Sequence, residues 1–218
     1  MTELALGIID AQRGFMPSET GESPDQAGFG ELPVADGRQI IAPLNRLVAV
    51  YSTPDRHIFT TQDWHPRDTA HFSEQPDYRT TWPVHCVANS PGAELHPKLV
   101  VPAKTARFIK GVEPLVRGED DTSYSGYFSH DRQTGTSLPE WLADYNIGHV
   151  LLGGLTLDYC VGKTALDLRH RIGVEVTVAL DTTRGIDPQS TTAMLEAFKA
   201  SGVQLTTTDE WMHTLSEA

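Results

Sequence analysis

Cysteine is scarce in this sequence, because Cys86 and Cys160 are the only two among 218 residues. Two cysteines are too few for a disulfide-stapled scaffold, so we expect both thiols to be reduced. Basic residues are also few, 17 against 29 acidic ones, which gives a formal net charge of −12. This charge argues against binding to nucleic acid or to a membrane surface, and it favours a small-molecule substrate.

Long apolar runs are missing as well. No stretch approaches the ~20 apolar residues of a membrane span, and Met1-Thr2-Glu3 lacks the basic start of a signal peptide. We therefore expect a soluble, cytoplasmic protein. The sequence shows no internal repeat, low-complexity tract or interdomain linker. With a hydrophobic content of 39%, residues 1–218 are predicted to form a single domain with a full core.

Short apolar segments alternate with segments of helical periodicity along the chain. This alternation predicts an α/β fold with three layers, α/β/α, around a mostly parallel, Rossmann-like sheet. Pro43 indicates either a kink in the first helix or a later start. The predicted strands are Leu4–Ile9, His57–Thr61, Ala106–Ile109, His149–Leu152, Val174–Leu180 and Val203–Leu205. The predicted helices are Ala35–Tyr51, a short helix capped by Ser137, a helix from Cys160 towards Gly173, and Pro188–Lys199.

Cys160 follows a predicted strand and the pair Gly153-Gly154, which predicts a turn, and it lies at the start of a predicted helix. In the first turn of a helix, free backbone N–H groups and the helix dipole favour a thiolate, which is the form that attacks carbonyl carbon. A cysteine taken in isolation is more often a small buried apolar residue. On the local sequence alone, the two interpretations of Cys160 are evenly balanced.

Asp10 and Lys110 each lie at the carboxyl end of a predicted strand, where open α/β sheets bind their ligands. Asp10 is a candidate acid or base, and a cap of a helix or turn is an equal alternative. A lysine in this place is usually solvated unless a partner holds it, and a Cys160 thiolate would be such a partner.

One loop-rich segment concentrates residues that bind metal ions. Asp63 and His65 are two residues apart, so their side chains point the same way on an extended chain, and His71 and His85 can complete a metal shell. Oxygen and imidazole donors without thiolate suit zinc, iron or manganese alike. Because these donors already fill the shell, we interpret Cys86 as a packed thiol.

These residues belong to six separated blocks of sequence. The blocks are Ile8-Ile9-Asp10-Ala11-Gln12 with Phe15, Asp63-Trp64-His65-Pro66 with His71, Trp82-Pro83-Val84-His85-Cys86-Val87, Lys110-Gly111, Ser123-Tyr124-Ser125-Gly126, and Asp158-Tyr159-Cys160-Val161. The set resembles the isochorismatase-like cysteine hydrolases, and within them the nicotinamidases, from Leu4 to about Asp181. The histidine block is what resembles the nicotinamidases, since the superfamily at large shares only the Asp, Lys and Cys positions.

The resemblance implies the isochorismatase-like hydrolase fold and the hydrolysis of nicotinamide to nicotinate and ammonia through a cysteine thioester, with pyrazinamide as a further substrate. It implies one divalent metal ion, zinc in the first place and iron or manganese otherwise. The expected partner is a small amide, and a homo-oligomer is compatible with the resemblance. The implied catalytic triad is Asp10, Lys110 and Cys160, and the implied metal ligands are Asp63, His65, His71 and His85.

The resemblance also implies a binding site for the substrate ring. It places Phe15 and Trp82 on the two faces of a pyridine ring and assigns Tyr124 to the same site. Backbone N–H groups of Thr156 and Cys160 are expected to form an oxyanion hole behind the Gly153-Gly154 turn. The family carries a cis peptide at the bond that corresponds to Leu155-Thr156.

Three segments depart from the family pattern, and two other functions remain open. Arg13-Gly14 follows Gln12 where the family has Asn or Asp, and the segments Met16–Gly30 and Glu113–Asp121 are longer than usual, which affects the pocket, a lid or a subunit contact. One alternative function is a metal-independent relative, such as an N-carbamoyl amidase or an isochorismatase. The other is a non-catalytic binding module, against which the intact triad argues.

Overall fold

The computed structural model describes residues 2–19, 27–112 and 122–217. Seven strands in this part of the chain form one sheet: β1 (Glu3–Ile9), β2 (Arg56–Asp63), β3 (Ala106–Lys110), β4 (His130–Asp131), β5 (Ile147–Leu155), β6 (Glu175–Arg184) and β7 (Gln204–Thr206). Their order across the sheet is β4-β3-β2-β1-β5-β6-β7. Neighbouring strands are parallel except β3 and β4. The predicted mostly parallel sheet is confirmed.

Helices cover both faces of the sheet. The described helices are α1 (Ile41–Tyr51), α2 (Leu138–Asp144), α3 (Cys160–Asp167), α4 (Pro188–Ser201) and α5 (Thr208–Glu217). One buried cluster contains Leu44 of α1 and Trp211 of α5, and a second cluster contains Leu142 of α2, Val161 of α3 and Phe198 of α4. The predicted three-layer α/β/α architecture is therefore confirmed.

The central strand β1 serves both layers. Leu6 and Ile8 belong to the cluster under α1 and α5, whereas Ala5 and Ile9 belong to the cluster under the other three helices. All four side chains are fully buried. Because successive side chains of a strand point to opposite faces, a strand buried on both faces needs an uninterrupted apolar run. This explains the unbroken apolar sequence of β1.

The local signals for helix ends agree with the structure. Ser137 accepts a hydrogen bond from the N–H of Glu140, and the Glu140 carboxylate accepts one from the N–H of Ser137, so the two form a capping box. Asp187 caps α4, and Gly202 ends it with a φ of 71°. Pro43 lies in the first turn of α1, where a proline is tolerated, so the helix begins later than the predicted Ala35.

The predicted turn at Gly153-Gly154 is wrong. β5 continues through both glycines to Leu155, and the register with β6 shifts between Leu152 and Gly154. A Cβ on Gly154 would collide with the backbone of Ile9, and Gly154 has a φ of 117°. Gly154 therefore lets the backbone of β1 approach closely. In the sequence, a glycine with this role looks the same as a glycine in a turn.

Three further elements differ from the sequence-based expectation. β6 extends beyond the predicted end at Leu180 to Arg184, because after the register shift Gly154 and Leu155 of β5 pair with Thr183 and Arg184. β4 has only two residues, which are too few to show periodicity. α5 was not predicted, although Trp211, Met212 and Leu215 lie at helical spacing and pack against the core. The predicted insertion Glu113–Asp121 and residues 20–26 of the Met16–Gly30 loop lie outside the described residues.

Within the described ranges, no helix combines the length and the apolar character that a membrane crossing requires.

Trp211 attaches α5 to the body of the protein, because its side chain is buried and its Nε1–H donates a hydrogen bond of 3.1 Å to the hydroxyl of Tyr51. We predict that Trp211→Phe lowers the free energy of unfolding by about 1–3 kcal/mol, since the Tyr51 hydroxyl loses its buried partner. Urea unfolding followed by circular dichroism measures this loss. Tyr51→Phe removes the same hydrogen bond, so the losses should add incompletely in the double variant. Full additivity would contradict the prediction.

Candidate active site

Three charged side chains of the site come from the carboxyl ends of adjacent strands. Asp10 follows β1 directly, Asp63 is the last residue of β2, and Lys110 is the last residue of β3. Cys160 is the first residue of α3, which follows β5 on the other side of β1. All four side chains are buried. The parallel sheet therefore brings together the residues that were separated in the sequence, as predicted.

The Lys110 ammonium lies at the centre of this group. Its Nζ is 2.8 Å from Oδ2 of Asp10 and 3.3 Å from Sγ of Cys160, and it also donates a hydrogen bond to Oδ1 of Asp63. A buried lysine needs opposite charge around it, and here two carboxylates supply that charge. Although burial opposes the charged form, Asp10 and Asp63 hold the pKa of Lys110 well above its usual range.

Burial has the largest effect on the pKa of the Cys160 thiol. It raises the pKa of Cys160 well above its usual range, and Asp10 and Asp63 raise it further, whereas Lys110 lowers it. Burial and the two carboxylates thus favour the thiol, and Lys110 is the neighbour that favours the thiolate. Burial likewise raises the pKa of Asp10, against the charge of Lys110. A carboxylate oxygen of Asp10 lies within 4.8 Å of the Cys160 sulfur, so Asp10 can accept the thiol proton and activate the sulfur for attack.

Three predicted ligands form a compact cluster of imidazoles. One nitrogen each of His65, His71 and His85 lies within 4.8 Å of the other two, and all three rings are buried. His65 places Nδ1 3.1 Å from the carbonyl oxygen of Gly111, and His85 places Nδ1 2.7 Å from that of Pro83. A carbonyl only accepts, so each Nδ1 carries the proton and each Nε2 keeps a lone pair for a metal.

The fourth predicted ligand, Asp63, lies between this cluster and Lys110. Oδ2 of Asp63 is 3.6 Å from Nε2 of His65, and that nitrogen is buried without a hydrogen-bond partner among the described residues. A lone pair that faces a carboxylate oxygen is stabilised when a cation lies between them. Burial lowers the pKa of His85 to about 4, so its imidazole is neutral at pH 7, the form that binds metal. The donors fit a divalent metal ion.

One pocket joins the thiol to the histidine cluster. Its walls include all three predicted substrate-binding side chains, Phe15, Trp82 and Tyr124, and Nε1–H of Trp82 donates a hydrogen bond of 2.8 Å to the Tyr124 hydroxyl. The other lining residues are Leu32, Asp63, His71, His85, Thr156, Tyr159, Cys160 and Ile186.

The backbone at the predicted oxyanion hole contains one unusual peptide bond. The peptide bond Leu155-Thr156 is cis, as in the family. The N–H groups of Thr156 and Cys160 have no backbone acceptor in the described part of the chain, apart from bonds internal to a helix or strand. Both residues line the pocket. Cys86 is a separate, packed thiol, buried and 3.5 Å from the carbonyl oxygen of Gly92, and both cysteines are free.

Sequence reasoning gave no role to Gln12, although it stands in the block with Asp10. Its Nε2 donates hydrogen bonds of 2.8 Å to the carbonyl of Asp63 and 2.9 Å to that of Ala93, and its Oε1 accepts one of 2.8 Å from the N–H of Asp63. Gln12 thus fixes the main chain of Asp63. Thr61 similarly donates to Oδ1 of Asp10 at 2.7 Å.

Asp158 is a second residue whose role sequence reasoning missed. Its buried carboxylate accepts hydrogen bonds from the N–H groups of Ile186 and Asp187, both at 3.1 Å, and from the hydroxyl of Ser190 at 2.6 Å. Ile186 lines the pocket, so the Asp158 carboxylate connects the loop before Cys160 to this part of the pocket wall. β6 is longer than the sequence predicted, so the sequence did not show that Ile186 follows it at a position close to Asp158.

The fold and the site define a class of cysteine hydrolase, and the chain belongs to the isochorismatase family, whose "Isochorismatase domain" model matches residues 5–210. It is 35% identical to the nicotinamidase of Escherichia coli over 98% of this chain and 99% of the relative. It also resembles the crystal structure of the pyrazinamidase of Pyrococcus horikoshii in complex with zinc, with 32% identity, coverage of 94% and 99%, and a TM-score of 0.74. A further similar structure, from L. infantum, holds nicotinate, with 30% identity, coverage of 96% and 94%, and a TM-score of 0.75.

The contacts of Asp158 generate a prediction about stability. We expect Asp158→Ala to lower the free energy of unfolding by about 2–4 kcal/mol, because three donors lose a buried charged acceptor. Urea unfolding measures the change. Asp187→Ala is the matched control: Asp187 caps α4 in solvent with two hydrogen bonds, so its loss should cost only about 1 kcal/mol. Equal losses in the two variants would refute the structural role of Asp158.

Proposed function

We propose that this protein is a nicotinamidase, which hydrolyses nicotinamide to nicotinate and ammonia and also accepts pyrazinamide. The observation that carries the proposal is the pocket in which a thiol, a histidine cluster and aromatic side chains face the same space. The similarity to nicotinamidases and to a pyrazinamidase over nearly the whole chain supports this substrate class. The two free thiols suit a reducing compartment such as the cytoplasm.

The first chemical step forms the thioester. Asp10 accepts the proton of Cys160, and the sulfur attacks the carboxamide carbon. The C–S bond forms while the carbonyl electron pair moves onto oxygen, where N–H groups of Thr156 and Cys160 would stabilise the charge; one such donor typically contributes ~3 kcal/mol. The protonated Asp10 then gives its proton to the amide nitrogen. The C–N bond breaks, and ammonia leaves.

The second step returns the enzyme to its starting state. Water enters beside the thioester, and Asp10 accepts a proton from it as its oxygen attacks the carbonyl carbon. The C–S bond breaks, the sulfur takes the proton back from Asp10, and the product leaves as nicotinate after its new carboxyl group releases the second proton of the water to solvent. Lys110 holds Asp10 in place throughout through the contact of 2.8 Å. Its positive charge also offsets the negative charge that the thiolate brings into a buried site.

The substrate would be oriented by the end of the pocket at the histidine cluster, away from Cys160. We assign Asp63, His65, His71 and His85 as the residues that would hold one divalent metal ion, and zinc is the ion proposed because the similar pyrazinamidase holds zinc. When bound, this ion would act as a Lewis acid that orients the pyridine nitrogen, directly or through a water molecule. Phe15 and Trp82 pack against the ring faces, and Tyr124 fixes Trp82 through its hydrogen bond.

We predict that Cys160→Ala lowers ammonia release from nicotinamide by at least about a thousandfold, because the nucleophile is lost while little volume changes. The measurement is coupled ammonia detection with the purified protein. Cys86→Ala is the matched control, since it removes the other buried thiol, which does not line the pocket. Comparable activity of the Cys160 variant and the parent would exclude the cysteine mechanism.

We predict that removal of metal by a chelator reduces nicotinamide turnover and that added zinc restores it. Benzamide is the matched control substrate, because it has the same carboxamide but lacks the ring nitrogen. If the ion orients that nitrogen, chelation should raise KM for nicotinamide and leave the slow turnover of benzamide nearly unchanged. Equal loss of both activities would show that the metal acts in some other way.

A further inference from the structure

Gly111 lies between the two halves of the site, which are the group around Lys110 and Cys160 and the cluster of His65, His71 and His85. It follows Lys110 at the end of β3 and has a left-handed backbone with a φ of 65°. Its carbonyl oxygen is 3.1 Å from Nδ1 of His65. A hydrogen bond from Nδ1–H keeps the proton on that nitrogen, so Nε2 remains the donor atom for a metal.

The missing side chain of Gly111 matters as much as its carbonyl. A Cβ at this position would lie 2.5 Å from Cε1 and 2.7 Å from Nδ1 of His65, although ordinary contacts begin at 3.4 Å. The imidazole therefore occupies the space that any other residue at position 111 would fill. An added methyl group would have to displace the ring by close to an ångström, whereas metal–ligand distances tolerate only about 0.2 Å.

The His65 ring has little freedom to move away. Its backbone N–H donates a hydrogen bond of 3.2 Å to Cys86, and its carbonyl accepts one of 2.9 Å from Ala88. The ring stacks on His71 with centroids 4.9 Å apart and meets the edge of Phe72 at 5.4 Å. Displacement at Gly111 would therefore tilt the ring within a packed cluster and move Nε2 away from the other ligands.

We propose that Gly111 is a positioning residue for His65: its carbonyl orients the imidazole, and its lack of a side chain makes room for the ring. This role rests on the metal site of the proposed function and does not depend on which amide is hydrolysed. The experiment therefore measures metal binding and stability directly.

The first measurement is the affinity for Zn²⁺, determined by competition with a chromophoric chelator. Gly111→Ala should weaken binding by about 10- to 100-fold, as expected when the residue that supports a metal ligand is disturbed. Gly135→Ala and Gly173→Ala are matched controls, because these glycines have similar φ values of 76° and 70° and nothing within 4 Å of an added Cβ. They carry the same backbone strain without the clash, so their affinity should stay within about twofold of the parent.

The second measurement separates the clash from backbone strain. Thermal unfolding of the metal-free proteins compares Gly111→Ala in the parent and in a His65→Ala background, where the ring is absent. The melting temperature should fall more in the parent background. If Gly111→Ala alone fails to fold, the proposal requires that the double variant folds.

Three outcomes would overturn the proposal. One is an affinity of Gly111→Ala equal to that of the two control variants. Another is the same loss of melting temperature, or of folding, in both backgrounds, which would assign the whole cost to the backbone. The third is a parent protein that takes up no Zn²⁺, which would refute the metal site itself. Failure of nicotinamide hydrolysis alone would refute the proposed substrate and leave Gly111 in its role.

Discussion

The buried ion pairs of Lys110 with Asp10 and Asp63 are the interaction on which the site depends. They join the ends of three adjacent strands, and removal of one partner from such a group typically costs about 3–5 kcal/mol. Asp63 also faces His65 with its second oxygen. One carboxylate therefore belongs both to the environment of the Cys160 thiol and to the histidine cluster, so the two halves of the site cannot be arranged independently.

Much of this site could be predicted because parallel strands end at one edge. Asp10, Lys110 and Cys160 were recognisable as residues that follow short apolar segments or begin a helix, and the sheet order then brings them together. The roles of Gln12 and Asp158 were not predictable. Their partners lie 51 and 28 positions away, and only the tertiary structure shows which backbone groups they meet.

The errors in the predicted fold also have physical causes. Glycine permits turns and close backbone contact alike, and Gly154 serves the second purpose beside Ile9. The register shift that accompanies it lengthens β6, which no local periodicity reports. α5 is a different case, because Trp211, Met212 and Leu215 lie at helical spacing and the helix was nevertheless not predicted. At Gly154 and in β6, tertiary packing overrides the local sequence pattern.

The contacts of Asp158 have a consequence for any attempt to redesign the pocket. Because the carboxylate next to the nucleophile holds the backbone of Ile186, a longer or shorter loop at this wall would also shift Cys160. Leu32 also lines the pocket, it has no assigned role in binding the ring, and no hydrogen bond of Asp158 reaches it among the described residues. Enlargement for bulkier amides should therefore begin there, where a change of shape leaves the alignment of the sulfur intact.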